Sequence, residues 1–194
     1  MVALSQQEVL KIFRDTGALL EGHFELRSKL HSPQYFQCAN VLCYPRHAEK
    51  LCVALVDRIR KQVKGDLAVD TVIAPAMGGL AVGHEVAKAL GVKSIFAEKQ
   101  DGVLVLRRFK IKKGERIIVA EDVVTRGGRV QETIDIVEKN GGIVVAVVML
   151  VNRSGGKARF NYPAFSLVEM EPVTYEPGNC PLCKGGSKAL HPGS

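Results

Sequence analysis

Two acids followed by a glycine-containing loop have the clearest chemical potential in this sequence. Glu121 and Asp122 follow the apolar run Ile117–Ala120, and the pair Gly127-Gly128 comes soon after them. Adjacent carboxylates suit the vicinal hydroxyls of a ribose or a hydrated magnesium ion. Glycines permit a tight turn whose N–H groups, at the start of a helix, attract a phosphate. The segment therefore predicts a site for a sugar phosphate, whereas the loop without its acids would indicate an ordinary strand-to-helix connection.

A second turn, Ala74–Gly79, also lies between an apolar stretch and a helical pattern. By itself it is a weak signal, because a pair of glycines also suits an ordinary turn. Ligands of a parallel sheet bind at the carboxyl ends of its strands, and both turns follow predicted strands. The two turns are therefore expected to flank one substrate.

Alternating strand and helix patterns surround these turns. The order of strand, turn, helix and strand is typical of an α/β fold, a parallel sheet flanked by helices. Asp101-Gly102 predicts the turn of a hairpin between a strand near Glu98 and Val103–Arg107. Beyond Arg159 the prolines indicate extended chain and turns. The predicted strands are Thr71–Ala74, Ser94–Ala97, Arg116–Ala120 and Ile143–Val151, and the predicted helices are 5–20, His47–Lys64, Leu80–Leu90 and Val130–Asn140.

Composition narrows the class of protein. The chain has 194 residues, of which 46% are hydrophobic, enough for one domain with a sizeable core. No apolar run approaches the ~18 residues of a membrane span, and Met1–Leu10 lacks the pattern of a signal peptide, so a cytoplasmic location without a membrane partner is expected. The net charge of +7 is compatible with nucleic acid, a membrane surface or a polyanionic small molecule and does not choose among them, but the basic residues form no tail typical of a nucleic-acid arm.

The five cysteines are expected to be free thiols, since an odd number in a chain without a secretion signal does not indicate a disulfide framework. Cys180-Pro181-Leu182-Cys183 is half of a zinc site at most. With no second pair nearby in the sequence, zinc bridged between subunits is possible but less favoured than free thiols.

The segment Ile117–Thr125 resembles the signature of the type I phosphoribosyltransferases, which bind 5-phosphoribosyl diphosphate. The resemblance implies that the two acids contact the ribose, that the following loop holds the 5-phosphate, and that the earlier turn binds the diphosphate. The sequence departs from the family pattern at Arg126 and Arg129, where small or hydroxylated residues are usual. The implied ribose and phosphate site comprises Glu121, Asp122, Val123, Val124, Thr125, Arg126, Gly127, Gly128 and Arg129, and the implied diphosphate loop comprises Ala76, Met77, Gly78 and Gly79.

Two further segments, 22–37 and 152–156, resemble those of the orotate phosphoribosyltransferases. The aromatic pair Tyr35-Phe36 matches positions that contact the pyrimidine and the diphosphate, and Arg153 matches an arginine that pairs with the carboxylate of orotate. A guanidinium fork suits a planar carboxylate. Core packing of the aromatics and a surface position for Arg153 are the alternatives. The residues implied to bind orotate are Arg27, Tyr35, Phe36, Thr125 and Arg153.

The resemblance covers nearly the whole chain, including the Cys-Pro-Leu-Cys ending of a shorter branch of these enzymes. It implies transfer of the phosphoribosyl group from 5-phosphoribosyl diphosphate to orotate. It also implies a homodimer and magnesium carried by the substrate, with Asp122 as a partner through water. One domain is expected, with a core of about 45–160 and a small hood from about 1–44 and 160–194.

The implied catalytic residues are Lys99, Glu121 and Asp122. Lys99 is the first choice for the mobile loop that closes over the diphosphate, and Arg107 and Arg108 are the second; their alternative is a solvated hairpin face. A phosphoribosyltransferase for another base remains open. So does a non-catalytic regulator that keeps the fold and binds a phosphoribosyl ligand or RNA.

Overall fold

The computed structural model describes residues 4–26, 28–63, 67–171 and 173–192. Its helices are α1 (Gln6–Asp15), α2 (Ala39–Leu42), α3 (Pro45–Gln62), α4 (Gly79–Leu90), α5 (Gly128–Lys139) and α6 (Pro181–Lys184), with a 3₁₀ turn at Pro177–Asn179. Its strands are β1 (Leu19–Glu25), β2 (His31–Phe36), β3 (Thr71–Pro75), β4 (Lys93–Gln100), β5 (Val103–Val105), β6 (Arg116–Val124), β7 (Ile143–Asn152) and β8 (Ala164–Glu169).

Six strands form the central sheet, in the order β5-β4-β3-β6-β7-β8. All neighbours pair in parallel except β4 and β5. Helices cover both faces, so that in β6 the residues Ile117 and Val119 pack towards α5 while Ile118 and Ala120 pack towards α3 and α4. Burial on both faces explains why these strands are continuous apolar runs rather than alternating ones. The predicted α/β fold is confirmed.

The hairpin between β4 and β5 is also confirmed. Gln100 pairs with Val103, and the two residues between them, Asp101 and Gly102, have φ angles of 50° and 84°. Two positive φ angles are what a tight two-residue hairpin turn requires, and Asp-Gly is a favoured sequence for it.

The strand β8 lies in a stretch where the sequence analysis predicted only extended chain and turns. It pairs in parallel with β7 as an edge strand of the central sheet. Only Ser166, Leu167 and Val168 are buried in its six residues, and Pro163 precedes it. A strand this short gives too little alternation to be distinguished from loop by its sequence pattern.

The first two strands pair with the C-terminal part of the described chain. β1 and β2 form an antiparallel pair, and the segment 173–192 lies along both of its edges. Leu190 pairs with Phe24 of β1, and Tyr175 pairs with His31 of β2. We call β1, β2 and 173–192 the hood. None of the described helices combines the length and the apolar character that a membrane span requires.

Candidate active site

The two predicted turns lie side by side at the carboxyl edge of the sheet, because β3 and β6 are parallel neighbours. A Cβ atom on Gly78 would lie 3.1 Å from both carboxylate oxygens of Asp122. A Cβ atom on Gly79 would lie 3.0 Å from Oε1 of Glu121 and 3.2 Å from the carbonyl oxygen of Ala120. Because Gly78 and Gly79 have no side chains, the first turn can pack against the two acids of the second turn.

Backbone amides of the first turn are available at a helix start. The amide of Ala76 donates to the carbonyl oxygen of Ala97 at 2.7 Å and so belongs to the sheet. The amides of Met77, Gly78 and Gly79 follow at the N-terminus of α4, where the positive end of the helix dipole favours an anion. The Ala76–Met77 peptide bond is cis. The anion-binding prediction therefore applies to residues 77–79 of this turn.

The second turn leads into α5 in the same way. Gly127 caps this helix with a φ of 80°, and a Cβ there would lie 3.1 Å from both Ala158 and Phe160. Glycine is therefore required by conformation and by space. Thr125, Arg126 and Gly128 are exposed, so the start of α5 faces solvent as an anion site must.

The two unusual arginines of this turn are separated by the structure. The guanidinium Nη1 of Arg129 pairs with Oε2 of Glu132 at 2.7 Å, one turn along α5. Arg126 is exposed beside Gly127. Arg129 is thus engaged along its own helix, whereas Arg126 lies at the mouth of the turn.

The acids form a coupled pair with few local partners. Glu121 is 7% exposed, and burial together with the charge of Asp122 raises the pKa of Glu121 to about 9. Burial also raises the pKa of Asp122. Oε1 of Glu121 accepts from the Asp122 amide at 3.1 Å, and Oδ1 of Asp122 accepts from the Val123 amide at 2.7 Å. Such a pair is suited to hydroxyl donors or to a divalent cation, which would compensate its charge.

Arg153 is buried, so its surface alternative is wrong. Its backbone amide donates to the carbonyl oxygen of Val124 at 2.7 Å, which holds it beside the end of β6. Its Cζ atom lies 5.4 Å from the ring centroid of Phe36, and its Nε has no hydrogen-bond partner in the described structure. The neighbouring hydroxyl of Ser154, which the sequence analysis missed, is likewise buried and unpaired. Unpaired buried donors are costly, so an acceptor bound at this corner would relieve that cost.

The aromatic pair contributes two different environments. Phe36 packs edge-on against Phe13 in the core at 6.0 Å between centroids, so the packing alternative holds for this ring in addition to its contact with Arg153. Tyr35 is half-buried and lies 5.9 Å from Phe24 within the hood. The remaining residue of the orotate prediction, Arg27, lies outside the described residues.

The three loop cations lie on the β4–β5 hairpin and its continuation. Arg107 and Arg108 approach Oε1 of Glu98, with Nε distances of 3.9 and 2.9 Å. Lys99 is exposed and, by strand alternation, points to the face opposite Glu98, the face of Ala97. The backbone carbonyl oxygen of Ala97 accepts from the amide of Ala76, so β4 runs beside the first turn. The structure therefore separates Lys99 from the two arginines.

The structure corrects the expectation that the Cys-x-x-Cys motif has no second pair of ligands nearby. Cys180 and Cys183 lie against His23 and His31 of the hood. All five cysteines are free of disulfides, as predicted. The only sequence signal for the cluster was the cysteine spacing itself, because its partners lie about 150 residues earlier on two strands.

Comparison with known proteins identifies the class to which this fold and site belong. The model of the phosphoribosyl transferase domain family matches residues 47–181. An orotate phosphoribosyltransferase of Desulforamulus reducens is 47% identical, and the alignment covers 98% of each chain. The chain belongs to the phosphoribosyltransferase family, in its orotate phosphoribosyltransferase branch.

Solved structures agree on the fold. The crystal structure of orotate phosphoribosyltransferase from Aeropyrum pernix superposes with a TM-score of 0.69 at 23% identity, covering 84% of this chain and 93% of that one. An adenine phosphoribosyltransferase from Thermoanaerobacter pseudethanolicus gives 0.66 at 18% identity, covering 83% and 99%. Since enzymes for different bases share this fold, the acceptor must be argued from the site.

Proposed function

We propose that this protein transfers the phosphoribosyl group of 5-phosphoribosyl diphosphate to orotate, forming orotidine 5′-phosphate and diphosphate. The observation that carries the choice of acceptor is Arg153, a buried guanidinium with an unpaired Nε beside the donor site. Adenine and uracil carry no carboxylate to pair with it. The name of the close relative from Desulforamulus reducens supports the same acceptor.

The donor has a binding surface at each of its charged parts. The 5-phosphate would sit at the start of α5, on amides of 125–128, and the diphosphate on the amides of Met77, Gly78 and Gly79. The ribose would then lie over Glu121 and Asp122, whose carboxylates accept hydrogen bonds from its hydroxyls. The close approach of the two turns supports one continuous donor site.

The acceptor would lie on the hood side of the ribose. There the carboxylate of orotate would pair with Arg153 and accept from the hydroxyl of Ser154. Thr125, at the end of β6, and the half-buried Tyr35 would border the base. Arg27 is proposed from the family resemblance alone.

Magnesium fits the donor set at this edge. Two carboxylates with raised pKa values are oxygen ligands that a hard cation prefers, and a cation would compensate the charge that burial makes costly. We propose that Asp122 holds it through water. When bound with the substrate, magnesium would neutralise the charge of the diphosphate leaving group.

The chemistry requires position and charge rather than a protein nucleophile. The bond between the anomeric carbon and the diphosphate oxygen breaks as a bond from a ring nitrogen of orotate forms. The leaving group keeps the electron pair, and the proton of that nitrogen passes to the departing diphosphate or to water. Residues 77–79 and Lys99 would stabilise the departing diphosphate, and the acids would face the positive ribosyl group. A hairpin that closes with Lys99 would exclude water, the competing acceptor.

Three further features belong to this proposal. We propose that the chain is cytoplasmic, as expected from its sequence pattern, and that it acts as a homodimer, as the resemblance implies. The division into a core of about 45–160 and a hood is proposed with one amendment, because β8 extends the central sheet to Glu169.

The decisive experiment is ultraviolet monitoring of orotate consumption with the diphosphate donor and magnesium, with adenine and uracil as competing acceptors. Arg153→Gln should raise the KM for orotate about 100-fold, because it removes one partner of a buried charge pair. The KM for the donor should change little. Exposed Arg46→Gln is the matched control. Turnover of adenine or uracil in preference to orotate would overturn the acceptor, and donor binding without any turnover would favour the regulator.

The same assay tests the loop. Lys99→Ala should lower kcat with a smaller effect on the KM for orotate, because the lysine would act on the leaving group. Lys61→Ala on α3 is the matched control. A full rate for Lys99→Ala would contradict the loop assignment while leaving the proposed reaction intact.

A further inference from the structure

Four side chains from distant parts of the chain meet inside the hood. His23 on β1, His31 on β2, and Cys180 and Cys183 in the tail place one ligand atom each within 4.8 Å of one another. Both histidines and Cys180 are buried, and Cys183 is half-buried. We call these four residues the hood cluster.

The distances within the hood cluster resemble the edges of a zinc tetrahedron. Nε2 of His23 lies 3.6 Å from Sγ of Cys180 and 3.7 Å from Sγ of Cys183, and Nδ1 of His31 lies 3.3 Å from the latter sulfur. With Zn–S near 2.3 Å and Zn–N near 2.0–2.1 Å, tetrahedral nitrogen–sulfur edges are about 3.5 Å. The two nitrogens, 2.8 Å apart, need only a small separation to reach about 3.3 Å. We propose that the hood cluster binds one structural zinc ion.

The surroundings of His23 prepare it as a ligand. Its Nδ1 lies 3.1 Å from the carbonyl oxygen of Ser187, which can only accept, so the proton belongs on Nδ1. The lone pair of Nε2 is then directed to the centre of the cluster. A metal-bound histidine commonly donates its other N–H to a carbonyl in this way, which fixes the tautomer and the ring orientation.

The types and number of the ligands indicate which metal binds and that the site is structural. Two thiolates and two imidazoles in tetrahedral array are a zinc set, whereas magnesium and calcium prefer oxygen. Four protein ligands fill the coordination sphere, which is typical of a structural site rather than a catalytic one. The Cys-x-x-Cys spacing at the start of α6 is common in such sites.

The proposed ion would join the two ends of the chain. The segment 173–192 pairs with β2 at Tyr175 and with β1 at Leu190. Both cysteines lie between these two points, where the segment crosses from one strand to the other. Zinc would thereby fix the tail on the hairpin whose β2 carries Tyr35 and Phe36. Holding together segments about 150 residues apart costs conformational entropy, and the bonds to zinc would offset that cost. Loss of zinc should therefore loosen the hood before it affects the central sheet.

The direct test is the zinc content of the full chain, expressed with zinc and passed through gel filtration. We expect about one zinc per chain for the wild type and a loss of most of it for Cys180→Ser and Cys183→Ser. Cys43→Ser and His84→Gln change an exposed cysteine and an exposed histidine elsewhere and should keep it. Wild-type protein with no zinc, iron in its place, or zinc retained by both serine variants would overturn the proposal.

A second measurement does not depend on whether the variants fold. Replacing zinc by Co²⁺ in the wild type should give the intense visible bands of a tetrahedral cobalt site with thiolate charge transfer, while Cys43→Ser should give the same spectrum. A weak octahedral spectrum, or rapid reaction of Cys180 and Cys183 with a thiol reagent in the metal-loaded protein, would contradict the proposal. Orotate turnover enters neither measurement, so failure here leaves the proposed reaction untouched.

Discussion

Two buried glutamates near opposite ends of β6 lie in opposite electrostatic environments. Glu115, just before the strand, is 8% exposed, and Glu121, near its other end, is 7% exposed. Glu115 accepts from Lys93 at 2.7 Å, from the hydroxyl of Thr71 at 2.6 Å and from the Lys112 amide at 2.7 Å. Burial opposes its ionisation, but these donors outweigh it and lower its pKa to about 2.

Glu121 has the same side chain and similar burial, but its neighbour is another acid. Burial and Asp122 raise its pKa to about 9. At the amino end of β6, the protein itself thus supplies the donors that stabilise the carboxylate. At the carboxyl end, the donors in the described structure do not compensate the acid pair. This difference is what the proposed function requires, because an acid pair that destabilises the folded chain would be compensated by the proposed substrate and cation.

The largest expected effect is on the uncompensated end. Asp122→Asn should lower kcat/KM by about 100-fold, because an amide replaces a charged acceptor facing the ribose and the cation, a change of about 2–3 kcal/mol. Initial rates of orotate consumption check this. Glu115→Gln is the matched control and should retain the rate. Equal losses in both variants would show that the two ends of β6 do not differ in function.

A smaller effect on activity is expected where the first turn rests on the acids. In Gly79→Ala the new Cβ would meet Glu121 Oε1, Pro75 and the Ala120 backbone at 3.0–3.2 Å, so the turn must shift. We expect a loss of about tenfold or more in kcat/KM, since misplacement of bound groups is costly. Gly178→Ala, with nothing within 4 Å of its Cβ, is the control. Full activity of Gly79→Ala would show that the spacing between turn and acids is unimportant.

At the completed end the expected effect is on stability. Glu115→Gln should cost about 2 kcal/mol, because it removes charge from three hydrogen bonds. Since the folded pKa lies below the ordinary 4.5, the contribution of Glu115 is present above about pH 4.5 and is lost as the pH falls towards 2. Urea unfolding at pH 7 and pH 3 checks this. An unchanged difference between wild type and variant across that range would be inconsistent with the ion pair.

The smallest effect has the opposite sign. Glu121→Gln should stabilise the ligand-free protein by about 1 kcal/mol, a rise in Tm of roughly 2–4 °C, because it removes the cost of keeping a buried carboxyl protonated beside Asp122. The folded pKa of Glu121 lies above 4.5, so its cost grows as the pH rises from about 4.5 towards 9, and the advantage of the variant should grow with it. Thermal unfolding at pH 5 and pH 8 measures this. A variant less stable than wild type at pH 8 would contradict the uncompensated pair.

Much of the sheet and of its two turns could be predicted because their signals are local. Strands β3, β6 and β7 each contain a continuous apolar run, and Asp101-Gly102 favours a hairpin turn by its own conformational preference. The acids and Gly127 lie close together in sequence, so the nine residues 121–129 contain the whole turn. The turn at 76–79 was a weak signal by itself. It was assigned to the site only because the carboxyl ends of parallel strands lie at the same edge of a sheet, where ligands bind.

The sequence by itself determined the alternation of strands and helices, the two glycine turns and the acid pair, since each depends on contacts between residues close in the chain. Only the tertiary structure decided that Arg153 is buried with its guanidinium over the ring of Phe36, that Ala164–Glu169 completes the sheet, and that two histidines meet two cysteines in the hood. These outcomes depend on packing between segments as much as 150 residues apart. The hydrophobic periodicity of a short stretch cannot predict such contacts. Their free energy comes from the burial and pairing of surfaces that form only when the chain folds.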